Sequence, residues 1–390
     1  MALIHWLRLS LTNGIGPILT SRLIAAAGTA EQACEWPSIF LQEIDGIGTA
    51  KARHIAESLK KSGEAADEEL AKATAAGARI ICPDDDEYPV LLKTIPDPPL
   101  VLYIKGAFEP RDLNSIGIVG SRQCSIYGRE QAQRFGSLLA GAAMTVVSGG
   151  ARGIDSSAHR GAMEHPAGRT VAVLGCGVDV VFPPENAALF QQIATRGAVV
   201  SEYAMGSAPL AENFPKRNRI ISGLSRGTLV IEAAARSGAL ITARMANEDQ
   251  GRTVFALPGR VDNPLSEGTH QLLRDGATIC TNLEDIMHGL GPLPLEALEH
   301  DHPPAPPFVQ HDPLLFTPPP PSSVASAEIS LTDRQQLVLS SIGRDATSID
   351  AIIEQTGLAA QEVTQELTLL SLKALVKRVD GQQFVRKGRA

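Results

Sequence analysis

Ser148-Gly149-Gly150-Ala151-Arg152-Gly153-Ile154-Asp155 gathers three glycines and an arginine into one short run. Glycine removes the Cβ atoms that hold an anion away from the main chain. Arg152 adds a full charge on a planar donor fork. The residues before it, Met144-Thr145-Val146-Val147, are apolar and β-branched and read as a buried strand. The residues after it, 156–163, contain no β-branched side chain and read as a helix. Strand, glycine turn and helix together aim backbone N–H groups and the positive end of a helix dipole at an anion. A tight turn without a ligand is the plainer alternative. A dinucleotide site fits less well, because the G-x-G-x-x-G fingerprint needs glycine where Ser148 stands. The acidic residue expected about 20 positions on falls at Val173-Leu174-Gly175 instead. The chemistry favoured is phosphate binding.

The elements that position this turn repeat along the middle of the chain. Arg79–Cys82 reads as a strand. So do 100–104, 115–120, 144–148, 170–175, 198–202, 228–232, 253–257 and 277–281. Most are continuously apolar, so both faces are covered. Helices between them imply a doubly wound α/β sheet, whose ligands lie outside the carboxyl ends of the strands. Gly120-Ser121-Arg122 sits at one such end. Others carry Asp179, Glu202, Glu232 and the run Ser237–Ala243. Phe214-Pro215-Lys216-Arg217-Asn218-Arg219 opens a helix. Cations there oppose the dipole by roughly 0.3–1 kcal/mol each, which an anion would offset. Alternatively, Arg217 and Arg219 pair with Glu202 or Glu232. Phe214 could stack on a base, worth about 1–3 kcal/mol, or sit in the core.

Composition sets the frame. The chain has 390 residues, enough for two or three domains, with 44% hydrophobic residues and a formal net charge of −8. A general basic coat is excluded and a local basic patch is not. The five cysteines are scattered without C-x-x-C spacing, and the histidines are dispersed, so neither a zinc site nor any other metal or cofactor is expected. No basic-then-apolar leader and no long apolar run appears, so a soluble cytoplasmic protein without membrane contact is expected. Residues 1–62 form a helical module with two similar turns, Asn13-Gly14-Ile15-Gly16 and Asp45-Gly46-Ile47-Gly48. The turn at 45–48 resembles that of a helix-hairpin-helix, with Lys51 and Arg53 assisting; a plain packing motif is the alternative. Glu64, Asp67, Glu68 and Glu69 read as a solvated helix face, and Asp84-Asp85-Asp86-Glu87 as a loop. The sheet domain spans 63–290 and a proline-rich linker 291–326. Residues 327–390 form helices at Asp333–Ile342, Ser348–Thr356 and Ala360–Ala374 and a hairpin with an Asp380-Gly381 turn, a winged helix. Its reading helix carries Glu362 and Glu366, a poor fit to DNA, which favours a protein-contact or auxiliary role.

G-S-R at 120–122, S-G-G-A-R-G-I-D at 148–155 and L-G-C-G-V-D at 174–179 are joined by F-P-x-R-N-R-I-I-S-G-L-S at 214–225 and S-G-A-L-I-T-A at 237–243. With these motifs the chain closely resembles the DNA-processing protein A (DprA, Smf) family over almost its whole length. The resemblance implies an extended Rossmann-like sheet that homodimerises near Val254 to Ile279. It also implies single-stranded DNA binding and delivery of that DNA to the RecA recombinase, notably in natural transformation. Carried over by motif, Gly120, Ser121, Arg122, Gly149, Gly150, Arg152, Lys216, Arg217, Asn218 and Arg219 would line the DNA-phosphate pocket. The glycine run adds Gly153 and the stacking argument adds Phe214. The competing readings are an enzyme acting on a nucleotide or phospho-sugar, with Asp155, Asp179, Glu202 or Glu232 as base or metal ligand, and a scaffold acting through its terminal modules. No nucleophile–base pair is apparent in the sequence.

Overall fold

The computed structural model describes residues 2–291 and, apart from short internal stretches, 332–386. The chain divides into two units, Met1–Pro304 and Ala305–Ala390.

The first unit opens with short helices α1 (Ala2–Ser10), α2 (Pro17–Ala27), α3 (Ala30–Glu35) and α4 (Ser38–Leu41), then the long α5 (Thr49–Ala75). The two glycine turns form a pair. Gly14 and Gly46 adopt φ of +91° and +90°, and extended Gly16 and Gly48 precede α2 and α5. Each turn packs on the helix that follows the other. A Cβ at Gly14 would lie 3.5 Å from His54 and Ile55 of α5, and one at Gly46 would lie 3.2 Å from Leu19 of α2. The helix α5 runs without a break through residue 62. Its Glu69 is 4% exposed rather than solvated, because its carboxylate accepts the Met205 amide at 2.5 Å. One apolar core joins Leu7, Leu23, Ile55 and Leu59 of the helices to Tyr103, Ala172 and Val199 of the sheet.

The sheet has nine strands: β1 (Arg79–Ile81), β2 (Leu102–Gly106), β3 (Ser115–Val119), β4 (Thr145–Ser148), β5 (Thr170–Val173), β6 (Ala198–Ser201), β7 (Gly227–Val230), β8 (Thr253–Ala256) and β9 (Thr278–Ile279). Their order is β1-β2-β6-β5-β4-β3-β7-β8-β9. The pairings from β6 through to β9 are parallel, whereas β1 and β2 pair antiparallel at one edge. The strand expected at 100–104 therefore begins two residues later and reverses the sheet direction. Alternate residues of the buried strands serve opposite faces. Val146 packs with Phe135 and Leu139 of α7 (Ile126–Gly141) and with Ala158 of α8 (Ile154–Glu164). Val147 packs on the other side, in the cluster containing Ile220 and Ile221 of α10 (Asn213–Gly223) and Ala239 of α11 (Gly238–Arg244). Three further helices complete the wrapping: α9 (Ala187–Arg196), α12 (Glu267–Arg274) and α13 (Leu283–Leu290), with the short α6 (Val90–Lys93) near the β1–β2 edge. The order reverses between β3 and β7, which lie side by side with Ile118 opposite Leu229 and Val119 opposite Val230.

The second unit contains α14 (Asp333–Ser340), β10 (Thr347–Ser348), α15 (Ile349–Thr356), β11 (Val376–Asp380) and β12 (Gln383–Arg386). Thr332 caps α14 and Gly357 ends α15 in the left-handed region at φ +66°. The strands form one antiparallel sheet, and Val338, Ile352, Leu367 and Phe384 share a core. Helices followed by a hairpin agree with a winged helix. Glu362 accepts a bond from Arg334 at 3.0 Å. Most of the linker, Gly381 of the hairpin turn and part of the third helix lie outside the described residues.

Candidate functional site

In a doubly wound sheet the strand ends part where the order reverses, and a crevice opens there. Here that point lies between β3 and β7. The Ser121 amide donates to the Glu232 carbonyl at 2.8 Å, tying the two strand ends together. The buried Glu232 carboxylate accepts the Ser125 amide at 2.8 Å and the Ser125 hydroxyl at 2.6 Å, fixing the start of α7 to β7. The Glu232 carboxylate occupies the place a Cβ of Gly128 would take. Above this joint lies a crevice of about 820 Å³. Gly120, Ser121, Arg122, Phe214, Arg217 and Asn218 line it, with Asp155 also on its surface. Arg122 is exposed, and its guanidinium lies 5.0 Å from the centre of the Phe214 ring, a cation–π contact. Phe214 in turn meets Phe182, with ring centres 5.6 Å apart.

The glycine turn plays a different part from the one expected. A Cβ at Gly149 would lie 2.6 Å from the Arg217 guanidinium and 2.7 Å from the Asp155 carboxylate. One at Gly150, which has φ +63°, would lie 2.6 Å from the Phe190 ring. Gly153, at φ +76°, lets α8 approach the backbone of Ser121 and Arg122, and the Ile154 amide donates to the Ser121 carbonyl at 3.3 Å. Gly120 clears Ile154 and the Glu232 carbonyl. These glycines admit the protein's own groups. The anion at the turn is internal: Asp155 accepts the Ala151 amide at 3.3 Å. Burial pushes the Asp155 carboxyl above the usual carboxylate range, while Arg217 and the Ala151 amide oppose the rise.

The cations divide in the same way. Arg217 is buried and donates to the Gly149 carbonyl at 2.8 Å and to the Val173 carbonyl. Burial lowers its pKa to about 10, so it stays charged at neutral pH. Arg219 is also buried and pairs with Glu202 at 2.7 Å and Asp97 at 2.9 Å, which is the ion-pair alternative to a phosphate contact. Arg152 is exposed but holds Glu185. Lys216 is exposed on α10. Gly149, Gly150, Arg152, Gly153, Lys216 and Arg219 do not line the crevice. Arg236, Ser237, Thr242 and Phe182 do, and were not picked out as site residues. The S-G-A-L-I-T-A run after β7 was the available signal for Ser237 and Thr242. Phe182 had none beyond its place after a strand.

Behind the turn lies His159, fully buried. Its Nδ1 sits 2.7 Å from the Thr170 hydroxyl, which itself donates to the Val146 carbonyl at 2.6 Å. The hydroxyl proton is thus committed, so Nδ1–H is the donor. Neither Nε2 of His159 nor Nε of Arg217 has a hydrogen-bond partner among the described residues.

The other carboxylates of the enzyme reading hold the fold together. Asp179 accepts the Gly206 amide at 2.9 Å, and Glu202 and Glu232 have the partners given above. In the 84–87 loop, Asp84 accepts Trp6 at 2.6 Å, Asp85 accepts the Cys82 amide at 2.7 Å and Glu87 pairs with Arg79. No helix among the described residues is long and apolar enough to cross a membrane.

The DNA recombination-mediator protein A family matches residues 79–291, more than half of the chain and the whole of the crevice. The chain belongs to that family. A second family, the DprA winged helix domain, matches residues 318–382 of this chain. Protein Smf of Synechocystis sp. is 35% identical over 98% of this chain and 98% of its own length. Protein Smf of Escherichia coli is 35% identical over 99% of this chain and 96% of its own length. The crystal structure of DNA processing protein A from Streptococcus pneumoniae is 34% identical, covering 73% of this chain and 95% of its own, with a TM-score of 0.63. The DprA/Smf family is one of DNA-processing proteins, and its Rossmann-like sheet and winged helix are the architecture described above.

Proposed function

We propose that the chain is a single-stranded DNA-binding recombination mediator, which holds a strand in the β3/β7 crevice and passes it to a RecA recombinase on incoming or exposed single strands, as in natural transformation. The observation that carries the reading is the exposed Arg122 guanidinium lying over Phe214 at the crevice mouth. A cation for a phosphate and a ring for a base meet there, on an acidic protein that offers little general attraction to DNA. Gly120, Ser121 and Asn218 complete the contact. Gly149, Gly150, Gly153, Arg217 and Arg219 support it from behind, and Arg152 and Lys216 flank it. Binding rather than turnover is inferred because Asp155, Asp179, Glu202 and Glu232 are each engaged by the protein's own groups. The setting is the cytoplasm.

Anisotropy titrations of labelled single strands and duplex test this. Single strands should bind tighter than duplex, with log affinity falling against log salt by a slope of roughly −0.7 per neutralised phosphate. Arg122→Ala should weaken binding roughly tenfold whatever the base sequence, the order expected for a charge-assisted hydrogen bond. Adding RecA and ATP to the preformed complex should speed filament growth on the strand. Equal affinity for wild type and Arg122→Ala would reject the crevice, and unaltered filament growth would reject the handover.

We also propose a homodimer through the late strands. At the sheet margin β9 has, among the described residues, one unpaired edge, where Ile279 is 54% exposed, and nearby Met287 is 46% exposed. Sedimentation velocity should give a dimer that Ile279→Glu shifts towards monomer; the same sedimentation coefficient for both proteins would count against this edge.

A further inference from the structure

The crevice draws its aromatic rings and its exposed arginines from different walls. The loops following β5 and β6 contribute Phe182, Pro209 and Ala211, and the first turn of α10 adds Phe214 and Pro215, with Arg217 and Asn218 next along that helix. The loops following β3 and β7 contribute Ser121, Arg122, Gln123, Arg236 and Ser237, and α11 adds Thr242 together with the apolar Ala239 and Ile241. The strand order places the two pairs of loops on opposite sides of β4, so both aromatic rings come from one side and the exposed Arg122 and Arg236 from the other. On the apolar side the Phe182 and Phe214 rings are 5.6 Å apart and inclined by 38°. Beside them Val181 is 46% and Leu210 53% exposed, which extends the apolar surface outwards. Phe182 is half-buried and packs against the apolar core, which holds its ring in place, while large apolar groups left exposed at a crevice mouth mark a binding surface.

We infer that the apolar wall is a nucleobase-stacking face in which Phe182 carries a base beyond the one on Phe214, while the opposite wall takes the phosphates. The inference rests on the reading of the crevice as a nucleic-acid site and adds the basis of its selectivity. A strand lying between the walls must turn its bases one way and its backbone the other. Unpaired nucleotides can do so, and paired bases, already stacked inward, cannot. Aromatic stacking tolerates any base, so the selectivity is for strandedness rather than sequence.

The test compares an oligothymidylate with an abasic oligonucleotide of equal length, by anisotropy at several salt concentrations. Phe182→Ala should weaken oligothymidylate binding about tenfold, within the range for one lost base–aromatic stack. It should leave abasic binding and the salt slope unchanged. Phe182→Tyr, which keeps the ring, should bind as wild type does, and a melting curve for each variant separates lost stacking from lost packing. Arg122→Ala should weaken both ligands and flatten the salt slope. Equal weakening of both ligands by Phe182→Ala, or of neither, overturns the stacking role while leaving the crevice in place. An Arg122→Ala variant that binds both ligands as wild type does overturns the crevice itself and this inference with it.

Discussion

Arg217→Ala is expected to destabilise the sheet unit by about 3–5 kcal/mol, the range for removing one partner of a buried charged group. The guanidinium is 3% exposed, bonds the carbonyls of Gly149 and Val173, and faces the buried Asp155 across the space left by the missing Gly149 side chain. Alanine would leave two carbonyls without these donors and a carboxyl without its neighbouring cation. Lysine should not restore the loss, since one ammonium cannot reproduce the planar fork. DNA affinity should fall too, as a consequence of a disordered crevice floor. Chemical denaturation measures the effect directly. A wild-type midpoint combined with lost binding would return Arg217 to the role of a direct phosphate contact.

Acid should destabilise the same region through His159. Burial holds the ring neutral and pushes its pKa from the ordinary 6.5 down to about 3, with the charges of Arg217 and Arg160 acting in the same direction. A group whose folded pKa is depressed contributes its full stability above the unfolded value. That contribution is lost as pH falls from about 6.5 towards about 3, at up to ~1.4 kcal/mol per pH unit. Asp155 acts in the opposite sense. Its folded pKa is raised, so its contribution is complete in acid, below the unfolded carboxylate value, and is lost as pH rises through the folded one. Comparing wild type with His159→Gln isolates the histidine. The variant should be less stable at neutral pH, and the gap should narrow steadily with acid. Parallel stability curves from pH 7 to pH 4 would refute this account of His159.

The strands were legible because most are short, continuously apolar runs bounded by glycine, and β3 to β8 begin and end within about two residues of their expected places. The reversed edge was not legible. Leu102–Gly106 has the composition of its parallel neighbours, and direction is set by which strand edge it meets, a tertiary matter. At the site, Gly120-Ser121-Arg122 and Phe214 were placed by their position after strands and before helices. The glycine turn was harder to read. Its composition signals a close approach, but an external phosphate and an internal carboxylate demand the same missing Cβ atoms, and Asp155 stands only two residues beyond Gly153. Arg217 and Arg219 alternate with the exposed Lys216 and the half-buried Asn218 on α10, and the helix angle that turns them inward does not show in a run of charges. The burial of Glu69 was equally hidden, because its partner is the Met205 amide, far along the chain.

The uninterrupted passage of α5 from the glycine-turn pair to the strand edge bears on how such chains change in evolution. Leu59 and Ala66, on either side of residue 62, belong to the same apolar core as Tyr103 and Val199. The amino-terminal helices are therefore not a cassette that recombination could swap at a hinge. A lineage that discarded them would have to resurface one flank of its sheet with polar side chains at the same time, so shortened relatives should differ along that flank as well as at their start.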